Sequence, residues 1–150
     1  MKHKTEVLID ADRDTVWRYF DNPDNMTKWQ PTLKSVRQVS GTPGQADAVS
    51  ELVYNENGRE VRLTETVTAR REPEFLGGAY DSDWGNVVIL NLFTQTHDGR
   101  TRWSSSSNHQ FKGLTRFLSL FMAKSIRRRI DEDMQRFKLL VETEVAGDKS

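Results

Sequence analysis

Between Gly41 and Phe111 the chain is cut by tight-turn signals at close intervals, and these limit its fold more than any other feature. Gly41-Thr42-Pro43-Gly44, Asn57-Gly58, Glu72-Pro73, Asp81-Ser82-Asp83 and Asp98-Gly99 separate short segments that read as strands. Asn-Gly and Asp-Gly are strong hairpin dipeptides, because the favoured two-residue turns need positive φ. Strands joined by connections this short must be antiparallel neighbours. The expected strands run from Leu33 to Ser40, Ala46 to Tyr54, Arg59 to Arg70, Phe75 to Tyr80, Gly85 to Thr96 and Thr101 to Phe111. A further strand over Lys4 to Asp10 precedes them. From about Leu114 to about Glu144 nothing breaks a helix, which would then be about 45 Å long.

Between the first strand and the hairpins lies DTVWRYFDNPDNMTKWQP, a polar stretch that carries Trp17, Tyr19, Phe20, Met26 and Trp29. Asp12 is placed to cap a helix in which Val16, Trp17 and Phe20 recur at helical spacing. Asn22 and Pro23 begin a second helix, since a proline's missing N–H costs nothing at the first position. Pro31 ends it. Two short helices therefore meet at a corner and project aromatic side chains to one side.

This order of elements, together with IDADRDTVWRYFDNPDNMTKWQPTLKSV, resembles the helix-grip fold of the START-like (SRPBCC) superfamily, which includes Bet v 1 and the polyketide cyclase/dehydrase and lipid-transport group. The matching positions are Val16-Trp17, Asp21, Trp29-Gln30-Pro31 and Val36. The corner departs from the pattern, with Ala11-Asp12 where a proline often stands. The resemblance implies an α+β domain over 1–150, its last residues (146–150) a frayed tail. It also implies a curved antiparallel sheet wrapped around the C-terminal helix, with a hydrophobic cavity between them.

Bulk properties narrow the function. The 22 basic and 22 acidic residues cancel, so the chain is not built to grip nucleic-acid backbones. There is no cysteine, no metal-binding motif and no nucleotide-binding loop, so neither metal nor cofactor is expected. The N-terminus lacks a signal-like apolar run, and no segment reaches the ~20 apolar residues of a membrane span. A cytoplasmic location is expected.

Site candidates are polar residues in the inward phase of a strand, because successive side chains alternate faces. Glu65 lies in phase with Val61, Leu63, Val67 and Ala69; buried, its pKa would rise and fit it as an acid/base. The alternative is an edge position that reaches water or an arginine. His109 lies in phase with Trp103, Ser105, Ser107 and Phe111, and either transfers protons or is satisfied by the backbone. Asn91 sits among Val87, Ile89 and Phe93, but Val88, Leu90 and Leu92 make the other phase equally apolar. Tyr80 and Trp84 flank a turn at the expected mouth. The first half of the long helix is apolar on nearly every side, through Phe117, Leu118, Leu120, Phe121 and Met122, whereas the second half has one stripe: Ile130, Met134, Phe137 and Val141. Either the helix kinks near Ala123–Ser125, or 117–123 forms a portal, a homodimer contact or a membrane surface. Loops or the short helices could also enclose it. Arg127-Arg128-Arg129 would pair with Asp131, Glu132 and Asp133 at i+4.

Three functions follow. The first is binding or transport of a hydrophobic small molecule or lipid, lined by Trp29, Leu63, Glu65, Tyr80, Trp84, Asn91, Phe93, Trp103, Ser105, Ser107, His109, Leu118, Phe121 and Met122. The second is a cyclase/dehydrase-type enzyme with Glu65 or His109 as acid/base. The third is a co-chaperone-like interaction module that uses the outer sheet or the apolar helix segment.

Overall fold

A computed structural model describes residues 1–148. Seven strands form one antiparallel sheet: β1 (Lys2–Ile9), β2 (Leu33–Ser40), β3 (Val49–Glu56), β4 (Arg59–Arg71), β5 (Phe75–Ser82), β6 (Gly85–Gln95) and β7 (Thr101–Phe111). Their spatial order is β1-β7-β6-β5-β4-β3-β2, so the hairpins lie side by side and the first strand closes back onto the last. Between β1 and β2 stand α1 (Arg13–Phe20) and α2 (Met26–Trp29), the latter led in by a 3-10 turn at Pro23–Asn25. The long helix is α3 (Ser119–Asp148). The curved sheet grips α3, as the helix-grip resemblance implies.

Local chemistry accounts for the corners. The Asp12 carboxylate accepts the Thr15 N–H at 2.8 Å and caps α1. The Asn22 side chain accepts the Asp24 N–H at 3.1 Å just before Pro23. Asn57 and Gly58 both adopt positive φ (54° and 83°), as the twist of a two-residue hairpin requires.

The core is an aromatic cluster where the short helices, β6, β7 and α3 meet. Trp17, Trp29, Phe93, Trp103 and Phe137 are buried, and Phe20 packs against them. Phe93 and Trp103 are paired across β6 and β7 and stack at 5.8 Å. Phe137 meets Trp103 edge-on at 5.0 Å and Trp29 at 5.3 Å. Such geometries favour the ring quadrupoles beyond area burial alone. The C-terminal half of α3 is also tied to β1: Lys138 donates to the Leu8 carbonyl at 2.6 Å, and Glu142 accepts the Asp10 N–H at 2.7 Å.

Several expectations need correction. The Leu114 region is not α-helical: a 3-10 turn covers Gly113–Arg116, and α3 starts at Ser119. The helix also runs into the expected frayed tail. Residues 146–148 are helical, while 149–150 lie outside the described residues. Ala69 does not share the Glu65 face, because a bulge between Val67 and Ala69 reverses the phase and turns Arg70 inward. The arginine run is not self-paired throughout. Only Arg128 meets its i+4 acid, Glu132, at 2.8 Å. Arg129 instead pairs with Glu56 on β3, Asp131 bonds His3 at 2.8 Å, and Asp133 bonds Arg136 at 2.8 Å. The apolar start of the helical region is not enclosed by loops: Leu114, Phe117, Leu120 and Phe121 are each more than four-fifths exposed.

Candidate functional site

The strand register sets inward residues in rows under α3. One row runs Ser50, Glu65, Tyr80, Val87, His109 across β3 to β7. A second runs Arg70, Leu76, Asn91, Ser105 across β4 to β7. Over them lies a cavity of about 710 Å³, roofed by Arg129, Ile130, Asp133 and Met134 of α3. Trp29, Leu63, Glu65, Tyr80, Asn91, Trp103, Ser105 and His109 all line it. The exposed residues Pro23, Asp24, Lys34, Gln38 and Pro43 mark its mouth, between the short helices and edge strand β2. The volume falls within the ~300–1,000 Å³ usual for small-molecule sites.

Glu65 stands directly opposite Tyr80, whose ring lies over Gly78. A Cβ at position 78 would sit 3.1 Å from that ring, so glycine makes the room. Burial raises the Glu65 carboxyl above the ordinary carboxylate range, and the Tyr80 hydroxyl opposes the shift only in part. Tyr80 is raised well above a free phenol by burial and by the Glu65 charge. The carboxyl and the phenol thus both hold their protons more tightly than free groups do, in a wall they share with Ser50, Asn91, Ser105 and His109. Tyr54 donates to the Gln30 side chain at 2.7 Å, and the Arg129 guanidinium lies 5.7 Å from its ring centroid.

His109 occupies the other end of the same row, three strands from Glu65, a backbone separation of roughly 14 Å. Its Nε2 is 3.1 Å from the Ser107 hydroxyl. Burial, the N-terminal ammonium and His3 together lower its pKa to about 4. Glu65 and His109 thus face the same cavity from strands three apart and do not touch.

This gives His109 a pH signature. Its folded pKa lies below the unfolded value of ~6.5. Above that value the ring is neutral in both states and contributes nothing. As pH falls toward about 4, the unfolded chain takes up a proton that the folded chain refuses, and stability drops. The expected loss is on the order of 1–2 kcal/mol, allowing for solvent screening. Asp133 works the other way. Burial raises it to about 6, against the pull of Arg129 and Arg136, so its destabilising charge is relieved as pH falls below that value. Urea unfolding of His109→Gln from about pH 7 to about pH 4 should therefore show less acid destabilisation than wild type. A parallel pair of curves would remove His109 as the cause.

Asn91 does face inward. Its Oδ1 accepts the Trp103 indole N–H at 3.0 Å, so much of its capacity is already used within the wall. Val88, Leu90 and Leu92 are the outward set, 42–47% exposed. Phe93 and Ser107 lie outside the lining, in the core and beside His109. Trp84 is half-buried at its turn, where its carbonyl accepts from Thr115 at 2.8 Å. Leu118, Phe121 and Met122 also lie outside the cavity.

Sequence reasoning missed several lining groups, among them Asp133, Tyr54 and Ser50. Asp133 belongs to an acidic run, yet it sits at i+4 from Arg129 and i−4 from Phe137, so the apolar stripe placed it on the buried side. Tyr54 and Ser50 alternate with Leu52 on β3 in the sequence, and all three line the cavity. No group of acidic, histidine or cysteine side chains among the described residues could hold a metal. None of the described helices is long and apolar enough to cross a membrane.

The backbone is similar to that of the Zhui aromatase/cyclase from Streptomyces sp. R1128, at 12% identity and a TM-score of 0.83, covering 97% of this chain and 95% of that one. It is also similar to TTHA0849 from Thermus thermophilus, at 15% identity and a TM-score of 0.81 over 96% and 99% of the two chains. Ara h 8.0201 matches at 14% identity and a TM-score of 0.77 over 95% and 98%. At these identities the likeness shows the fold alone. No curated protein matches the sequence. The family model described as polyketide cyclase / dehydrase and lipid transport matches residues 2–142, and with nearly the whole chain covered, the protein belongs to that family.

Proposed function

We propose that this chain binds one largely apolar, ring-bearing small molecule or lipid in the cavity under α3, with a hydroxyl or carbonyl of the guest held at Glu65 and Tyr80. The observation that carries this reading is the Glu65 carboxyl. It is half-buried in a wall that includes Leu52, Leu63, Val87 and Ile89, and no basic side chain lowers its pKa. A buried carboxyl without a cation is costly unless something hydrogen-bonds it. The Tyr80 hydroxyl supplies one such bond, a guest hydroxyl would supply a second, and burial of its apolar body would supply the affinity at ~25 cal/mol per Å². The 710 Å³ cavity is large enough for a fused-ring molecule.

Native mass spectrometry of freshly purified protein is the direct test, with the neutral fluorescent probe N-phenyl-1-naphthylamine as the titratable guest. The probe should bind saturably, one per chain. Ser105→Trp, which fills the floor, should weaken it by about tenfold or more. Equal affinity in that variant, or no saturable binding by wild type, would rule out the cavity as the binding site.

A second reading has a specific observation behind it. The raised Glu65 carboxyl, paired with a phenol, is suited to proton transfer as well as to binding. On that reading the chain is a cyclase or dehydrase type of enzyme. Glu65→Gln would then abolish turnover of a polyketide-like substrate while probe affinity stayed near wild type.

A further inference from the structure

The chain's charges cancel overall, yet its cations are not evenly spread. Between Phe111 and Asp131 there are six basic residues (Lys112, Arg116, Lys124, Arg127, Arg128, Arg129) and no acidic one. Three of these are held by Asp81, Glu132 and Glu56. Arg116, Lys124 and Arg127 have no ion-pair partner among the described residues. The same segment presents Leu114, Phe117, Leu120 and Phe121 to solvent, with exposures of 81%, 82%, 86% and 81%. Nothing else in the described chain exposes large apolar side chains to this degree.

We propose that the 113–127 segment docks on a phospholipid bilayer rich in anionic headgroups. Apolar side chains beside unpaired cations are the pattern of a helix that lies in the membrane interface, with leucine and phenylalanine entering the acyl boundary and basic groups at headgroup level. The charge pattern selects this occupant over a second copy of the chain. A two-fold contact through this patch would bring together two copies of a segment that holds cations and no acidic residue, and like charges at an interface are penalised. An anionic bilayer satisfies the leucines and phenylalanines and the three unpaired cations together. The patch lies outside the cavity lining, so docking and guest binding can be tested separately.

The experiment is vesicle flotation of the full chain, using phosphatidylcholine with phosphatidylglycerol in equal proportion against phosphatidylcholine alone. Three unpaired cations near an anionic surface predict a preference on the order of a hundredfold for the mixed vesicles, and it should fade as salt shortens the screening length. The double variant Phe117→Asp with Leu120→Asp should stop floating, keep its melting temperature because both side chains are solvent-exposed, and bind N-phenyl-1-naphthylamine as before. Arg116→Glu with Lys124→Glu and Arg127→Glu should lose the preference for phosphatidylglycerol. Three results would overturn the proposal: no flotation on the mixed vesicles, flotation of the Asp double variant like wild type, or a dimer in sedimentation that this variant dissolves.

Discussion

Phe137→Ala should lower the unfolding free energy by about 3–5 kcal/mol, the largest single-residue effect expected in this chain. Phe137 is fully buried and lies within 6.0 Å, centroid to centroid, of Phe20, Trp29 and Trp103. Those rings come from α1, α2 and β7, so no single element can relax to fill the hole. The loss therefore combines transfer free energy with an unfilled cavity. Urea denaturation at neutral pH measures it, with Leu139→Ala as a control from the same turn of α3. Leu139 is 65% exposed, and its truncation should stay within about 0.5 kcal/mol. Equal effects at the two positions would mean that the sheet does not grip this half of the helix.

Arg70→Met comes second, at about 2–4 kcal/mol, set a little below the cost of breaking a fully buried pair because Asp21 keeps some solvent. Arg70 donates to both Asp21 oxygens at 2.6 and 2.8 Å and to the Gly44 carbonyl at 3.1 Å. Its guanidinium also lies 5.2 Å from the Trp17 ring centroid. One side chain thus joins the end of α1, the β2–β3 turn and β4. Removing it leaves the Asp21 carboxylate half-buried without its partner. A double-mutant cycle with Asp21→Asn should return a coupling of about 1–3 kcal/mol, and strict additivity would refute the link.

These two residues also mark what could be read from the sequence. Phe137 was legible, because Ile130, Met134, Phe137 and Val141 recur at helical spacing and three of them are buried. The hairpins were legible because Asn57-Gly58 and Asp98-Gly99 demand particular backbone angles, whatever surrounds them. Arg70 was not legible. Strict alternation from Glu65 points it outward, and one extra residue at the bulge reverses that. A bulge is chosen by how neighbouring strands fit, which the sequence of one strand does not encode. Asn91 failed for another reason: both faces of β6 are apolar, because its outer face carries Val88, Leu90 and Leu92. The arginine run misleads because helical i+4 geometry leaves out His3 and Glu56, which are distant in sequence yet stand close enough to draw Asp131 and Arg129 away.

Trp29 and Trp103 belong both to the aromatic core and to the chamber wall. Material added to the chamber would therefore press on the same rings that hold α3 to the sheet. Occupancy and folding are then thermodynamically linked: a compound present at a hundred times its dissociation constant adds about 2.7 kcal/mol to the native state. Melting the protein against a compound library would register such a compound as an upward shift in transition temperature, with no need to know its chemistry beforehand.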